Sequence, residues 1–200
     1  MIKKIALAIA ATIVVAVLAI VGIAATKPDT MVIERSTTIN ATAETILPLI
    51  ENFHNWGQWS PWEKLDPDMK RTYSGKESGF GAVYEWDGND EVGAGRMEIT
   101  ECSPAKVSIK LDFLKPFEGH DRTEIFPIKS GDATKVVWRM TGENNMMCKI
   151  MQVFMDMDKM LGKDFETGLA NMKQVAESGG GEKAAGEKAE GDKAEEEKTE

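Results

Sequence analysis

The sequence predicts an α+β domain in which a curved antiparallel sheet is covered by a long C-terminal helix. Three observations lead there. Six runs of period-two alternation follow one another between residues 69 and 140. Short turn-rich links such as Ser130-Gly131-Asp132 join them, and from Met146 to Ala176 the apolar spacing changes to three and four. Period two marks strands with one buried face, short links mark hairpins, and spacings of three and four mark an amphipathic helix. A one-sided sheet must cover its apolar face, and only the last helix is long enough to do so.

Taken in chain order, Lys3 and Lys4 precede Ile5 to Ala25, 21 residues without a charge and with Thr12 as the sole hydrogen-bonding side chain. At 1.5 Å per residue such a helix reaches about 31 Å, one hydrocarbon core. Residues 1–26 therefore read as an uncleaved membrane anchor, and the two lysines keep its N-terminus inside. This expectation describes a single-pass protein of a bacterial cytoplasmic (inner) membrane, its soluble domain facing the periplasm or exterior. The alternatives are a cleaved secretory signal, with Gly22-Ile23-Ala24 as a small-x-small site, and a buried helix of a soluble protein.

Residues 27–176 read as the folded domain. Met31 to Ile39 is a strand rich in β-branched residues, and Asn40 is a candidate N-cap for a helix from Ala41 to Glu51. An unusual loop, Phe53 to Pro67, follows. Strands are expected over Met69–Tyr73, Phe80–Trp86, Gly95–Cys102, Val107–Phe113, Arg122–Ile128 and Thr134–Met140. Their apolar faces carry Phe80, Ala82, Tyr84 and Trp86; Met97 and Ile99; Val107, Ile109, Leu111 and Phe113; and Val136, Trp138 and Met140. The register of the fifth run is open. Gly93-Ala94-Gly95 reads as a bulge or the start of a hairpin. The final helix is expected unbroken to Ala176, with Gly162 and Gly168 each weakening it by about 1 kcal/mol relative to Ala. Residues 177–200 repeat Glu182-Lys183, Glu187-Lys188, Asp192-Lys193 and Glu197-Lys198 with almost nothing to bury, which predicts a disordered, solvated acidic Glu/Lys tail.

A formal net charge of −9 excludes a phosphate-binding surface and with it nucleic acid as a partner. Cys102 and Cys148 lack metal or redox spacing and read as free thiols rather than a disulfide. His54 and His120 are the only histidines, and neither sits in a metal-ligand motif. No phosphate loop, nucleophile elbow or Cys-His pairing is visible, so neither metal nor cofactor is expected.

A twisted sheet curling around a helix leaves a void unless large side chains fill it. The expected lining is Trp59, Trp62, Tyr84, Trp86, Met97, Leu111, Phe113, Trp138, Met140, Phe154 and Met155. Three of the five tryptophans lie in Trp56-Gly57-Gln58-Trp59-Ser60-Pro61-Trp62-Glu63, which reads as a plug of one sheet end, a pocket lip or a membrane contact. Seven of twelve methionines fall between Met146 and Met172, either as an adaptable pocket roof or as core filler. An enzyme would need an acid or base in the void, and Glu63, Glu98, His120 and Asp121 are the candidates.

From Met31 to Ala176 the element order resembles the START/polyketide-cyclase (SRPBCC, helix-grip) superfamily. Trp59-Ser60-Pro61-Trp62, Gly81-Ala82-Val83-Tyr84-Glu85-Trp86 and Thr134-Lys135-Val136-Val137-Trp138 are similar to stretches of its bacterial polyketide cyclase/dehydrase and lipid transport members. The resemblance implies a helix-grip fold and a superfamily of lipid carriers, ligand-binding proteins and cyclases; the anchor, the helix-over-sheet order and the Met/aromatic lining point within it to a carrier of a hydrophobic small molecule (lipid- or quinone-like) at the membrane surface. Its alternatives are a cyclase/hydratase-type enzyme on polyketide-like substrates and a pocketless envelope interaction module.

Overall fold

A computed structural model describes residues 2–179. Helix α1 (Ile2–Ala25) presents apolar side chains to its surroundings on every side and buries only Ala24, near its C-terminal end. Among the described residues it is the one helix long and apolar enough to cross a membrane. The residues of the acidic repeat, from Glu182 on, lie outside the described residues.

Strands β1 (Thr30–Ile39), β2 (Lys70–Gly75), β3 (Ala82–Asp87), β4 (Ala94–Ser103), β5 (Lys106–Lys115), β6 (Gly119–Ser130) and β7 (Ala133–Glu143) form one antiparallel sheet in the order β1-β7-β6-β5-β4-β3-β2. The first strand of the domain thus pairs with the last, and the rest is a meander. Register in β6 is now fixed: Thr123, Ile125 and Pro127 are buried, which places Asp121 on the same inner face. The bulge expected at Gly93-Ala94-Gly95 is present, with Gly93 at φ 63° and a register shift between Ala94 and Gly95.

Four local expectations are corrected. Asn40 does not cap the first domain helix. That helix, α2 (Ala43–Glu51), has Thr42 at its N-cap, while the Asn40 N–H donates to Glu177 Oε1 at 2.8 Å. Phe80 is 70% exposed and lies outside β3, because Gly79 and Gly81, both at positive φ, turn the chain there.

The C-terminal helix is two helices, α3 (Met146–Phe154) and α4 (Met157–Glu177). Met155 is extended, and the Asp156 carboxylate accepts from the Lys159 N–H at 3.0 Å, capping α4. The apolar spacing runs through this break because both pieces are amphipathic, but they look in different directions. Leu169, Met172 and Phe165 of α4 are buried, whereas Met147 and Phe154 of α3 are exposed. The methionine-rich half is consequently no roof over the sheet; α3 packs against α1, and α4 alone lies along β1.

Gly162 and Gly168 are explained by this packing. A Cβ at Gly162 would overlap the Arg35 guanidinium, and one at Gly168 would come within 2.8 Å of the Trp138 ring. The glycines let α4 approach the sheet. Arg35 thereby reaches Asp158 at 3.0 Å and Glu166 at 2.9 Å.

Candidate functional site

The inner face of the sheet divides into two halves. In the closed half, short helical turns at Phe53–Gln58 and Trp62–Lys64 fold the tryptophan loop onto β7 and α4. Trp59 is fully buried, its indole N–H donating to the Leu49 carbonyl at 2.8 Å; Trp56 donates likewise to Ile50 at 3.0 Å. Trp138 stacks on Phe165 with centroids 4.3 Å apart and meets Trp59 and Trp62 edge-on. Trp56 and Trp59 fill this end of the sheet, while Trp62 stays half-buried at its margin. Among the described residues, Trp138 Nε1 is the one buried side-chain polar atom without a hydrogen-bond partner.

The open half follows from the strand register. One inner row runs across the sheet through Met31, Gly142, Asp121, Leu111, Met97, Tyr84 and Tyr73. The neighbouring row towards the sheet's end carries Phe113, Gly95 and Trp86. Met97, Leu111, Met140 and Tyr84 are buried, but Met31, Asp121, Phe113 and Trp86 are only half-buried, so water reaches this part of the concave face. The Trp86 ring lies over Gly95, where a Cβ would overlap it, and meets Phe113 edge-on at 6.2 Å. Gly95 makes room for that aromatic wall.

Among the candidate acids, the structure separates inner from outer face. Asp121 sits inside, over the bare Cα of Gly142, and among the described residues no charged side chain is bonded to it. Burial raises its carboxyl from the ordinary aspartate range to about 6, opposed only by the nearby His120. Glu63 is also turned inward, but its oxygens are taken: Oε2 accepts from Arg71 Nε at 2.7 Å and Oε1 from the Tyr84 hydroxyl at 2.6 Å. Burial, and then this carboxylate, push the Tyr84 hydroxyl far up. That cluster ties the tryptophan loop to β2 and β3. Glu98, paired with Arg96 at 2.8 Å, and His120, bonded to Asp112 at 2.7 Å, lie on the convex face. Asp121 is therefore the one candidate that is inward-facing and uncommitted.

The two helical candidates sit elsewhere. Phe154 and Met155 line a groove of about 540 Å³ together with Pro28, Met31, Val32 and Met157. Met31 belongs both to this groove and to the inner row that holds Asp121. The sequence reading missed Met31 as a lining residue, because its burial depends on how β1 pairs with β7. Cys102 and Cys148 form no disulfide; the Cys102 thiol donates to Glu51 Oε2 at 3.1 Å.

A family model described as polyketide cyclase / dehydrase and lipid transport matches residues 30–177. Among curated proteins, none matches the chain in sequence. Similar solved structures include ginseng major latex-like protein 151 from Panax ginseng, 15% identical with a TM-score of 0.55 over 74% of this chain and 99% of that one. Protein CV1439 from Chromobacterium violaceum is 11% identical, with a TM-score of 0.53 over 76% of this chain and 99% of its own. The Aha1 dimer from Colwellia psychrerythraea is 16% identical, with a TM-score of 0.51 over 74% and 96%. At these identities the likeness is one of fold.

Proposed function

We propose that this chain, which belongs to the polyketide cyclase/dehydrase and lipid transport family, binds a hydrophobic small molecule in the open half of its sheet while α1 holds it at a membrane. Family and fold both fit hydrophobic ligand binding. The observation that carries the reading is that Met31 and Asp121 in one row, and Phe113 and Trp86 in the next, stay half-buried beside the buried Leu111, Met97 and Tyr84. A folded chain gains by burying such side chains, and here a guest would complete the burial. Each 100 Å² of apolar surface covered contributes about 2.5 kcal/mol, so a guest must bury several hundred Å² to exceed the cost of association, which suits the large apolar area of a lipid- or quinone-like molecule. Asp121 supplies one polar contact, which favours a ligand with a hydroxyl or carbonyl at one end.

Native mass spectrometry of the full chain purified in detergent tests this. An apolar mass should be retained at near-unit stoichiometry by the wild type and lost in Leu111→Trp, which fills the row without touching α1. Lipid that merely coats α1 would be retained equally by both proteins, and that result would refute the reading.

The uncommitted Asp121 carboxyl favours one second reading, proton transfer to or from the bound molecule, as in the cyclase/hydratase alternative. If that transfer drives the addition or loss of water, Asp121→Asn would retain a molecule differing by one water from the wild type's, substrate in place of product. An unchanged mass would count against hydration or dehydration at Asp121 and leave binding intact.

A further inference from the structure

Helix α3 is built inside out. Two of its protein-facing positions are polar: Lys149 is buried and paired with Asp29, and Gln152 donates to Asn144 Oδ1 at 2.7 Å. The positions that follow Met147 at spacings of three, four and seven are Ile150, Met151 and Phe154, all apolar. Met147 is 61% exposed and Phe154 69%, with Ile150 and Met151 half-buried between them. A helix of a water-soluble domain orients the other way, so this outward face calls for an apolar neighbour. Part of that neighbour is α1, against which α3 packs.

The connection fixes where this face lies. Four residues, 26–29, separate the end of α1 from the start of β1 and reach at most about 14 Å even when extended. A bilayer spanned by α1 would therefore have its surface level with α3, the break at Met155 and the mouth of the groove lined by Val32, Phe154 and Met155. Val32 and Met155 are themselves exposed there. Lys27, Asp156 and Asp158 line the same groove, so its mouth mixes apolar with charged side chains, as the boundary between headgroups and acyl chains does.

We propose that the outward face of α3, with the mouth of the adjoining groove, lies in the lipid interface of the membrane that α1 spans, so that an apolar ligand passes between bilayer and protein at the α3–α4 break. The proposal rests on the anchor reading above and adds the surface and the route to it. An interfacial helix of this kind lies flat, its apolar side sunk about 5–10 Å towards the acyl chains. Lys149 is buried on the domain side, while its partner Asp29 is exposed just past the end of α1, at the level of the polar headgroups in this arrangement.

The test is site-directed spin labelling of the full chain in phosphatidylcholine nanodiscs, in a Cys102→Ala, Cys148→Ser background. Single labels go at Met147→Cys and Phe154→Cys on α3, at Lys163→Cys on the exposed side of α4, and at Val14→Cys in α1. All four positions are exposed, so the labels displace no core contact, and circular dichroism checks each variant. Power saturation compares collisions with oxygen, which concentrates in lipid, and with a water-soluble nickel chelate. The expected oxygen-to-nickel ratio is several-fold higher at 147, 154 and 14 than at 163. If 147 and 154 match 163 while 14 reads as lipid, the anchor stands and the interfacial helix is overturned. If 14 also reads as water, the anchor reading itself falls, and this inference with it.

Discussion

Asp121 occupies the concave face because Gly142 opposite it has no side chain; a Cβ there would overlap the carboxylate. The surroundings that raise its carboxyl to about 6 also tie it to stability. An unfolded aspartate titrates near 3.9, so between about pH 4 and pH 6 the folded chain keeps a proton that the unfolded chain has released. Stability contributed by this site is thus greatest below pH 4, falls as pH rises and is lost above about 6. Two pH units correspond to a ceiling of about 3 kcal/mol, and partial exposure to solvent reduces this to roughly 1–2 kcal/mol. Asp121→Asn is expected to gain about that much over the wild type at pH 8 and nothing at pH 4, measured by urea unfolding at both. Gly168 poses a second question of single-residue scale. In an open helix Gly→Ala gains about 1 kcal/mol, but here the new methyl meets the Trp138 ring at 2.8 Å and Pro61 at 3.2 Å. Overpacking of this kind costs about 1–3 kcal/mol. Gly168→Ala should therefore lower the denaturation midpoint, opposite to what helix propensity alone gives.

At the scale of elements, the break between α3 and α4 decides which surface each half-helix serves. α4 is held onto β1 by the buried Phe165, Leu169 and Met172 and by Arg35, whose charged form Asp158 and then Glu166 stabilise. α3 is held by α1 and the Lys149–Asp29 pair. Only the Asp156 cap and one extended residue separate them. Removing the cap in Asp156→Ala should cost about 1 kcal/mol, seen as a lowered melting temperature, without changing the buried contacts of α4. The tryptophan loop is the other decisive element. The indoles of Trp56 and Trp59 fill one end of the sheet and bond to carbonyls at the end of α2, so the half-buried inner positions are left to the opposite end.

Across the whole molecule, a sheet closed at one end and half-open at the other stands on a helix with no buried face beyond Ala24. The anchor reading makes a direct prediction. Alkaline carbonate should leave the full-length chain in the membrane pellet, and intact mass should include residues 1–26. Recovery of a shortened chain in the supernatant would identify α1 as a cleaved signal instead.

Much of this was legible in the residues. Alternation along Val107–Phe113 and Thr134–Met140 reports burial on one face, a property of each strand by itself, so the sheet, its meander and the apolar N-terminal helix could be read directly. The fold of the family was legible for the same reason. What lay beyond reach were facts of pairing and direction. Asp121 faces inward because of how β6 registers against β5 and β7, while His120 beside it faces out. The spacing of three and four in Met146–Ala176 says that a helix has an apolar side, but not what that side meets. For α4 it is the sheet; for α3 it is α1 and the outside. Sequence alone determined which surfaces are apolar, because that is carried by each residue's own chemistry. Only the tertiary structure decided which of them are covered, because covering requires a second surface whose position no single segment encodes.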